Sequence, residues 1–304
     1  HPYVLQEMQA VADPDPYQAL QQFDRALFGH VGFFISNLVR TVLLGLTAGH
    51  LHRPPVKDNT APYYQKVMRM SSAFALLADT SMLFLGGALK RKENLSARLG
   101  DMLSHLYMVT AVLKHYKDQG SHADDRVLMQ WACEQGLNQV QQAMDGFIDN
   151  FPNRFIAGLL RWLVFPYGKA CAAPQDKTCQ AVAKFLLEPS MTRDRLTDGM
   201  YMPTAADEVL RILENTLMSL VVHEPLLDKV SRAMRKGELH SGNILLAIEE
   251  AVDKQLLSRE QGDGLINTIH LRDEVIAVDD FDSLEFNAQE AQWQQPIRAD
   301  QSML

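Results

Sequence analysis

The sequence contains little cysteine, no excess of basic residues and no visible signal peptide. No CxxC pair occurs among its three cysteines, so we expect plain thiols of a reducing compartment at Cys133, Cys171 and Cys179. The 29 Lys and Arg against 37 Asp and Glu give a net charge of −8. This balance argues against a general nucleic-acid binder, because such proteins need a basic surface. No run of 18 residues is free enough of polar side chains to predict a membrane span.

Motifs for common active sites are also missing from the sequence. There is no GxGxxG after a strand, no GxxxxGK, no GxSxG and no Glu-x-x-His pair of the kind that binds metals in helical bundles. His50 and His52 form the closest metal-like pattern, but two histidines in a proline-flanked loop fall short of a zinc site. The paired acids at 249–250 and 279–280 are adjacent in sequence and do not converge as an acid/base pair. We therefore expect no catalytic constellation and no metal site in this chain.

The most informative segment is residues 74–116, which predicts a helical hairpin. Its first half is apolar around nearly the whole helix, and such a helix is normally enclosed by other helices. Asp79 lies in this apolar stretch, so its carboxylate needs a partner from a facing helix or a cap. The second half carries apolar side chains at alternating steps of four and three, the spacing of one helical face, at Leu95, Leu99, Met102, Leu106, Val109, Leu113 and Tyr116.

The two hairpin helices are predicted to meet at a polar turn near residues 92–94. The cations at 90–92 end the first helix, where positive charge suits the helix dipole. Asn94 is a favourable N-cap for the second helix. The glycines at 86–87 predict either close helix packing or a local bulge.

Helical periodicity extends over most of the chain and predicts an all-α protein. Residues 17–50 form one long helix or two in series, with apolar spacing at Leu27, Val31, Phe34, Leu38, Val42 and Leu46. We expect an antiparallel up-down helical bundle followed by a smaller helical group and a disordered tail. The predicted divisions are junction helices at 1–58, the bundle at 60–168, a smaller helical subdomain at 170–282 and a disordered tail at 283–304.

A short apolar helix at 151–166 is the candidate contact element of the bundle. One interpretation is a buried helix docked on the bundle. The other is a helix that faces a membrane or a partner, with Trp and Phe at the interface. Its few cations weaken the membrane interpretation, since membrane-surface helices usually carry several. The candidate contact residues are Phe155, Leu159, Trp162 and Phe165.

Several long motifs resemble the C-terminal region of the long bacterial acyl-CoA dehydrogenases of the FadE type. The similarity runs in order from residue 1 to about residue 282. The motifs are HPYVLQEM (1–8), ADTSMLFLGGALKRKENLSARLGDMLSHLY (78–107), AVLKHYKDQG (111–120), NFPNRFIAGLLRWLVFP (150–166) and AVDDFD (277–282).

The resemblance implies a parent enzyme of fatty acid β-oxidation. Such an enzyme oxidises fatty acyl-CoA to trans-2-enoyl-CoA, with FAD as hydride acceptor and a Glu as the base. In the family that Glu precedes the position of His1, so the resemblance assigns no catalytic or FAD-binding residue to this chain. The chain begins with His1 rather than Met, and we expect it to be a piece of a longer polypeptide, inactive alone and binding no FAD itself.

Two roles remain open for such a piece. By the resemblance, it serves the upstream dehydrogenase domains by packing, by homodimerisation or by docking on the inner face of the cytoplasmic membrane. The alternative is an autonomous helical interaction or scaffold module without chemistry of its own.

Overall fold

A computed structural model describes residues 2–205 and 208–277 of the 304-residue chain. Within these residues the regular structure is eleven α-helices and one 3₁₀ helix (Gly86–Arg91), with no strand, which confirms the predicted all-α class. The α-helices are α1 (Pro2–Val11), α2 (Pro16–Leu46), α3 (Ala61–Leu85), α4 (Glu93–Asp118), α5 (Arg126–Asp149), α6 (Arg154–Val164), α7 (Asp176–Leu187), α8 (Met191–Thr197), α9 (Val209–Arg235), α10 (Ile244–Asp253) and α11 (Arg259–Ile276).

The chain divides into two compact units, one ending at Lys184 and the other beginning at Phe185. The division falls within α7, whereas the sequence analysis placed a boundary between residues 168 and 170. The residues proposed as junction helices, 1–58, lie in the first unit together with the bundle. The acidic turn and the tail predicted at 279–304 lie outside the described residues.

Helix α2 is a single helix, which decides between the two predicted alternatives for this region. Its start is set by Asp15, whose carboxylate accepts hydrogen bonds from the backbone N–H groups of Tyr17 and Gln18 at 2.9 and 3.4 Å, and by Pro16 in the first turn. After the helix the chain turns at Gly49, which has φ +87°. A Cβ here would lie 2.8 Å from the Gln65 carbonyl oxygen, so only glycine fits.

The hairpin of α3 and α4 turns through the 3₁₀ helix. Gly86 ends α3 with a φ of +48°, a conformation that favours glycine. A Cβ at Gly86 or Gly87 would meet no atom within 4 Å, so these glycines break the helix rather than allow close packing. The N-cap of α4 is Lys92. The prediction of Asn94 as the cap is therefore wrong, because the chain is already helical at Glu93.

The core of the first unit lies between α4 and α5 and extends to α3 and α6. The predicted face of α4 is confirmed: five of its seven residues are buried and the other two pack against the core. Helices α4 and α5 approach closely at Gly136, where a Cβ would lie 2.4 Å from Val109 Cγ2. The largest fully buried side chains of α5 and its end include Phe147 and Phe151, whose ring centroids are 5.7 Å apart.

The second unit has its own core, formed by α9, α10 and α11. Helix α11 begins at a capping box between Ser258 and Gln261. Leu265 and Ile269 of this helix are buried in the core. Across this unit Thr268 Oγ1 lies 2.7 Å from Ser219 Oγ, which ties α11 to α9.

Candidate functional site

Helix α6 is held in place by hydrogen bonds to backbone groups at both of its ends. The Asn153 side chain accepts hydrogen bonds from the backbone N–H groups of Phe155 and Ile156 at 3.0 and 3.2 Å, which fixes its start. At its end Arg69 of α3 donates a hydrogen bond to the Val164 carbonyl oxygen at 3.3 Å. These hydrogen bonds orient the helix so that one face meets the core and the other meets solvent.

The two faces of α6 divide the predicted contact residues. Phe155, Leu159 and Trp162 are exposed, with 81%, 47% and 62% of their surfaces accessible. Phe165 is only 7% exposed and belongs to the core. It is therefore not part of the outward face. The chain leaves the helix at Phe165, and this break in helical geometry turns the ring inward.

Arg161 of α6 and Lys169, which follows the helix, are bound to acids of α5, whereas Arg154 donates a hydrogen bond to the Asp149 backbone carbonyl oxygen at 2.7 Å. Arg161 donates hydrogen bonds to Asp145 and Asp149 at 2.9 and 2.7 Å, and Lys169 donates one to Asp145 at 2.8 Å. The bonds from Lys169 and then Arg161 hold the pKa of Asp145 below its ordinary value, so this carboxylate stays ionised at neutral pH. These interactions fasten α6 to α5 and pair the charges of Arg161 and Lys169 with those of Asp145 and Asp149.

A second exposed apolar strip runs along α2. Its residues recur at spacings that place them on one side of the helix, and all are exposed: Phe28, Ile35, Val39, Leu43 and Leu46. Leu46 and Trp162 line the same small cleft, so the strip continues onto α6. We call these five residues together with Phe155, Leu159 and Trp162 the α2–α6 face.

Sequence reasoning missed the α2 part of this face. The predicted stripe of α2 is half-buried at Phe34, Leu38 and Val42, but the most buried side of the helix also carries Asn37 and Thr41. The signal was present in the sequence. Apolar residues lie on two sides of α2. When one of these sides packs against the rest of the unit, the other remains exposed to solvent.

Two helical segments are long and apolar enough to cross a membrane, Pro16–Leu46 and Ala61–Arg91. The expectation that no segment passes this test is therefore wrong, since a few isolated polar residues do not lower the average apolarity enough. The buried share of the apolar window is 17% for the first segment and 39% for the second. Length and composition also suit core helices, so this finding alone is weak evidence for a membrane.

Asp79 is a buried carboxylate of the first unit. It is 5% exposed, and its Oδ2 accepts a hydrogen bond from Asn37 Nδ2 at 3.1 Å. Asn37 belongs to α2, so the predicted partner on a facing helix is confirmed. Burial raises the pKa of Asp79 above its ordinary value, while the Asn37 bond acts in the opposite direction.

The Asp79→Asn variant is expected to be more stable than the wild type at pH 7. The folded chain binds the Asp79 proton more tightly than the unfolded chain, so ionisation lowers stability as the pH rises from 3.8 through the raised pKa. Urea unfolding at several pH values checks this. The stability difference should be small below pH 3.8 and should favour the variant at neutral pH. A less stable variant at pH 7 would mean that the ionised carboxylate stabilises the fold.

The other reactive side chains do not assemble into a site. Burial raises the pKa of Cys133 to about 12 and also raises that of Cys171, so both remain thiols at neutral pH. His50 and His52 have no further ligands near them: within residues 2–205 and 208–277 no group of three or more His, Cys, Asp or Glu could hold a metal ion. The feature that stands out in the first unit is thus a contact surface.

Comparison with known proteins supplies one match. A family model described as acyl-CoA dehydrogenase, C-terminal, bacterial type, matches residues 1–281. No solved structure matches the chain significantly.

Proposed function

The chain belongs to the bacterial-type acyl-CoA dehydrogenase C-terminal family, and from this we propose that it is a non-catalytic helical domain of a fatty acyl-CoA dehydrogenase. The parent enzyme oxidises acyl-CoA to trans-2-enoyl-CoA with FAD, and it acts in the cytoplasm. The family match confirms the resemblance carried by the hairpin motifs. It covers residues 1–281 of the 304-residue chain.

The large cavity of the first unit does not fit FAD. The cavity of about 750 Å³ in the first unit has apolar walls, two carboxylates, Glu7 and Asp79, and one cation, Lys90. A pyrophosphate needs several donors or cations, usually at a glycine-rich helix start. We therefore assign FAD and the catalytic base to the dehydrogenase portion of the polypeptide and derive no chemical step here.

We propose that the α2–α6 face packs against this dehydrogenase portion. The observation that carries the proposal is the exposure of Trp162 and Phe155 on a helix whose other face is core. Exposed apolar patches with aromatic residues mark protein interfaces. A membrane is a poorer partner, because Arg161 and Lys169 already pair with α5 acids and the net charge is −8.

A binding measurement between the two portions tests this proposal. The dehydrogenase portion is expressed separately and titrated with the 304-residue chain, wild type or carrying Trp162→Asp and Ile35→Asp. Two charges placed in an apolar interface are expected to raise the Kd about a hundredfold. Tyr107→Asp on α4 is the matched control, since Tyr107 is exposed but lies outside the face. Its Kd should stay within about twofold of wild type, and all variants should unfold at similar urea concentrations.

The same variants separate the other roles. Equal affinity of wild type and the double variant for the dehydrogenase portion would overturn the packing proposal. Loss of pelleting with anionic vesicles in the double variant would assign the face to a membrane, and loss of self-association would assign it to a homodimer. If the wild-type chain bound neither the dehydrogenase portion, nor vesicles, nor a second copy of itself, the result would favour the scaffold module. A wild-type chain that purified with stoichiometric flavin would contradict the non-catalytic assignment.

A further inference from the structure

A large cavity opens between α1, α2 and the end of α3. Its volume is about 750 Å³, within the range of small-molecule sites. The walls are mainly apolar, and the side chains that form them are Val4, Met8, Leu27, Val31, Phe34, Met82 and Leu83. On α2 the cavity residues Leu27 and Phe34 lie on a different side of the helix from Ile35 and Val39, whereas Val31 lies between the two sides. The cavity therefore borders the α2–α6 face at Val31.

The polar groups of the cavity differ in whether they have a partner. The carboxylate of Glu7 lies 3.0 Å from His30 Nδ1, and that of Asp79 accepts the bond from Asn37. Burial favours the uncharged form of Asp79 by raising its pKa. Both acids therefore already have a side-chain partner within the first unit.

Lys90 is the remaining charge at the cavity mouth. It lies on the 3₁₀ helix, is exposed, and pairs with no acidic side chain in the described part of the chain. Beside it the glycines at 86–87 add no side chain, and the space around them is open. A single unpaired ammonium group next to apolar walls is complementary to one negative charge at the end of a hydrocarbon chain.

We propose that this cavity binds a long-chain monocarboxylate, with its hydrocarbon chain along α2 and its carboxylate at Lys90. One ammonium group matches a singly charged carboxylate better than a phosphate, which favours the fork of an arginine or several cations. The apolar walls are occupied by the chain, whose burial supplies most of the affinity. The His30–Glu7 pair borders the site and keeps its own contact.

Binding of a fluorescent fatty acid to the full 304-residue chain tests the proposal. An undecanoic acid with a dansyl group at its far end is titrated below its micellar concentration, then displaced by laurate or by dodecylamine. Laurate is expected to displace the probe at least about tenfold more effectively than the amine, because the amine meets Lys90. Lys90→Glu should raise the Kd about tenfold. Lys92→Glu, a charge change two residues away and outside the cavity, should leave the Kd within about twofold.

A second pair of variants tests the position of the hydrocarbon chain. Val31→Trp fills the cavity and should abolish binding, whereas Val39→Trp on the α2–α6 face should not. Both residues are about half exposed, so neither substitution should prevent folding. Equal displacement by laurate and dodecylamine, or equal effects of the two tryptophans, would overturn the proposal. These readouts do not depend on the dehydrogenase portion, so they can fail while the packing proposal stands.

Discussion

The Phe147→Ala variant is expected to lose about 3–5 kcal/mol of unfolding free energy. Phe147 is fully buried, and its ring packs against Phe151 in the core of the first unit. Removal of the ring deletes this aromatic contact and leaves a cavity that close-packed neighbours fill only in part. Because α5 carries the acids that hold α6, we also expect the α2–α6 face to lose its order when this core opens.

Urea unfolding of Phe147→Ala beside Phe155→Ala measures the effect. The control makes the same substitution at a phenylalanine that is 81% exposed, where the change should stay within about 0.5 kcal/mol. A similar loss in both variants would mean that α6 is covered in the free chain, contrary to the exposure described above.

The Gly136→Leu variant is expected to lose about 3 kcal/mol, the upper part of the range for overpacked cores. A Cβ at this position would lie 2.4 Å from Val109 Cγ2, and the His105 carbonyl oxygen is 3.8 Å away. Valine in a helix has one preferred χ1 and cannot turn aside. Helix α4 must therefore move away from α5 to admit the new side chain.

Two further variants test the physical reason for this prediction. Val109→Ala added to Gly136→Leu should recover part of the loss, since it removes the atom that clashes. Gly100→Leu makes the same substitution on α4 at an exposed glycine with open space around it. It should be neutral or slightly stabilising, because leucine is the better helix former. Equal losses at Gly136 and Gly100 would show that helix propensity, not the α4–α5 approach, governs both sites.

The regular spacing of apolar residues was enough to predict the helices and their buried faces where one face was apolar. In α4 the single stripe from Leu95 to Tyr116 left one way to pack, and the structure follows it. The same reasoning predicted that Asp79 needs a partner on a facing helix, because an unpaired buried carboxylate is costly. It did not predict that the partner would be Asn37.

Periodicity did not predict which side of a helix is buried where apolar residues occupy two sides of it. In α2 both sides could have been buried, and only the position of α3 and α6 leaves Phe28, Ile35 and Val39 exposed. Trp162 of α6 and Phe165, which follows the helix, are both large apolar residues, yet Trp162 faces solvent and Phe165 lies in the core. The cap at Lys92 was missed because the helix start depends on the path of the preceding 3₁₀ helix.

The sequence by itself determined that this protein is built from helices, which family it resembles, and where its short apolar helix α6 lies. These properties are local, since they follow from composition, short-range periodicity and the residue sequence of the motifs. The tertiary structure alone decided which apolar side stays uncovered, which ionisable groups find partners, and where a cavity forms beside Lys90. Those outcomes depend on distances between residues far apart in the chain, and helical spacing within one segment does not specify them.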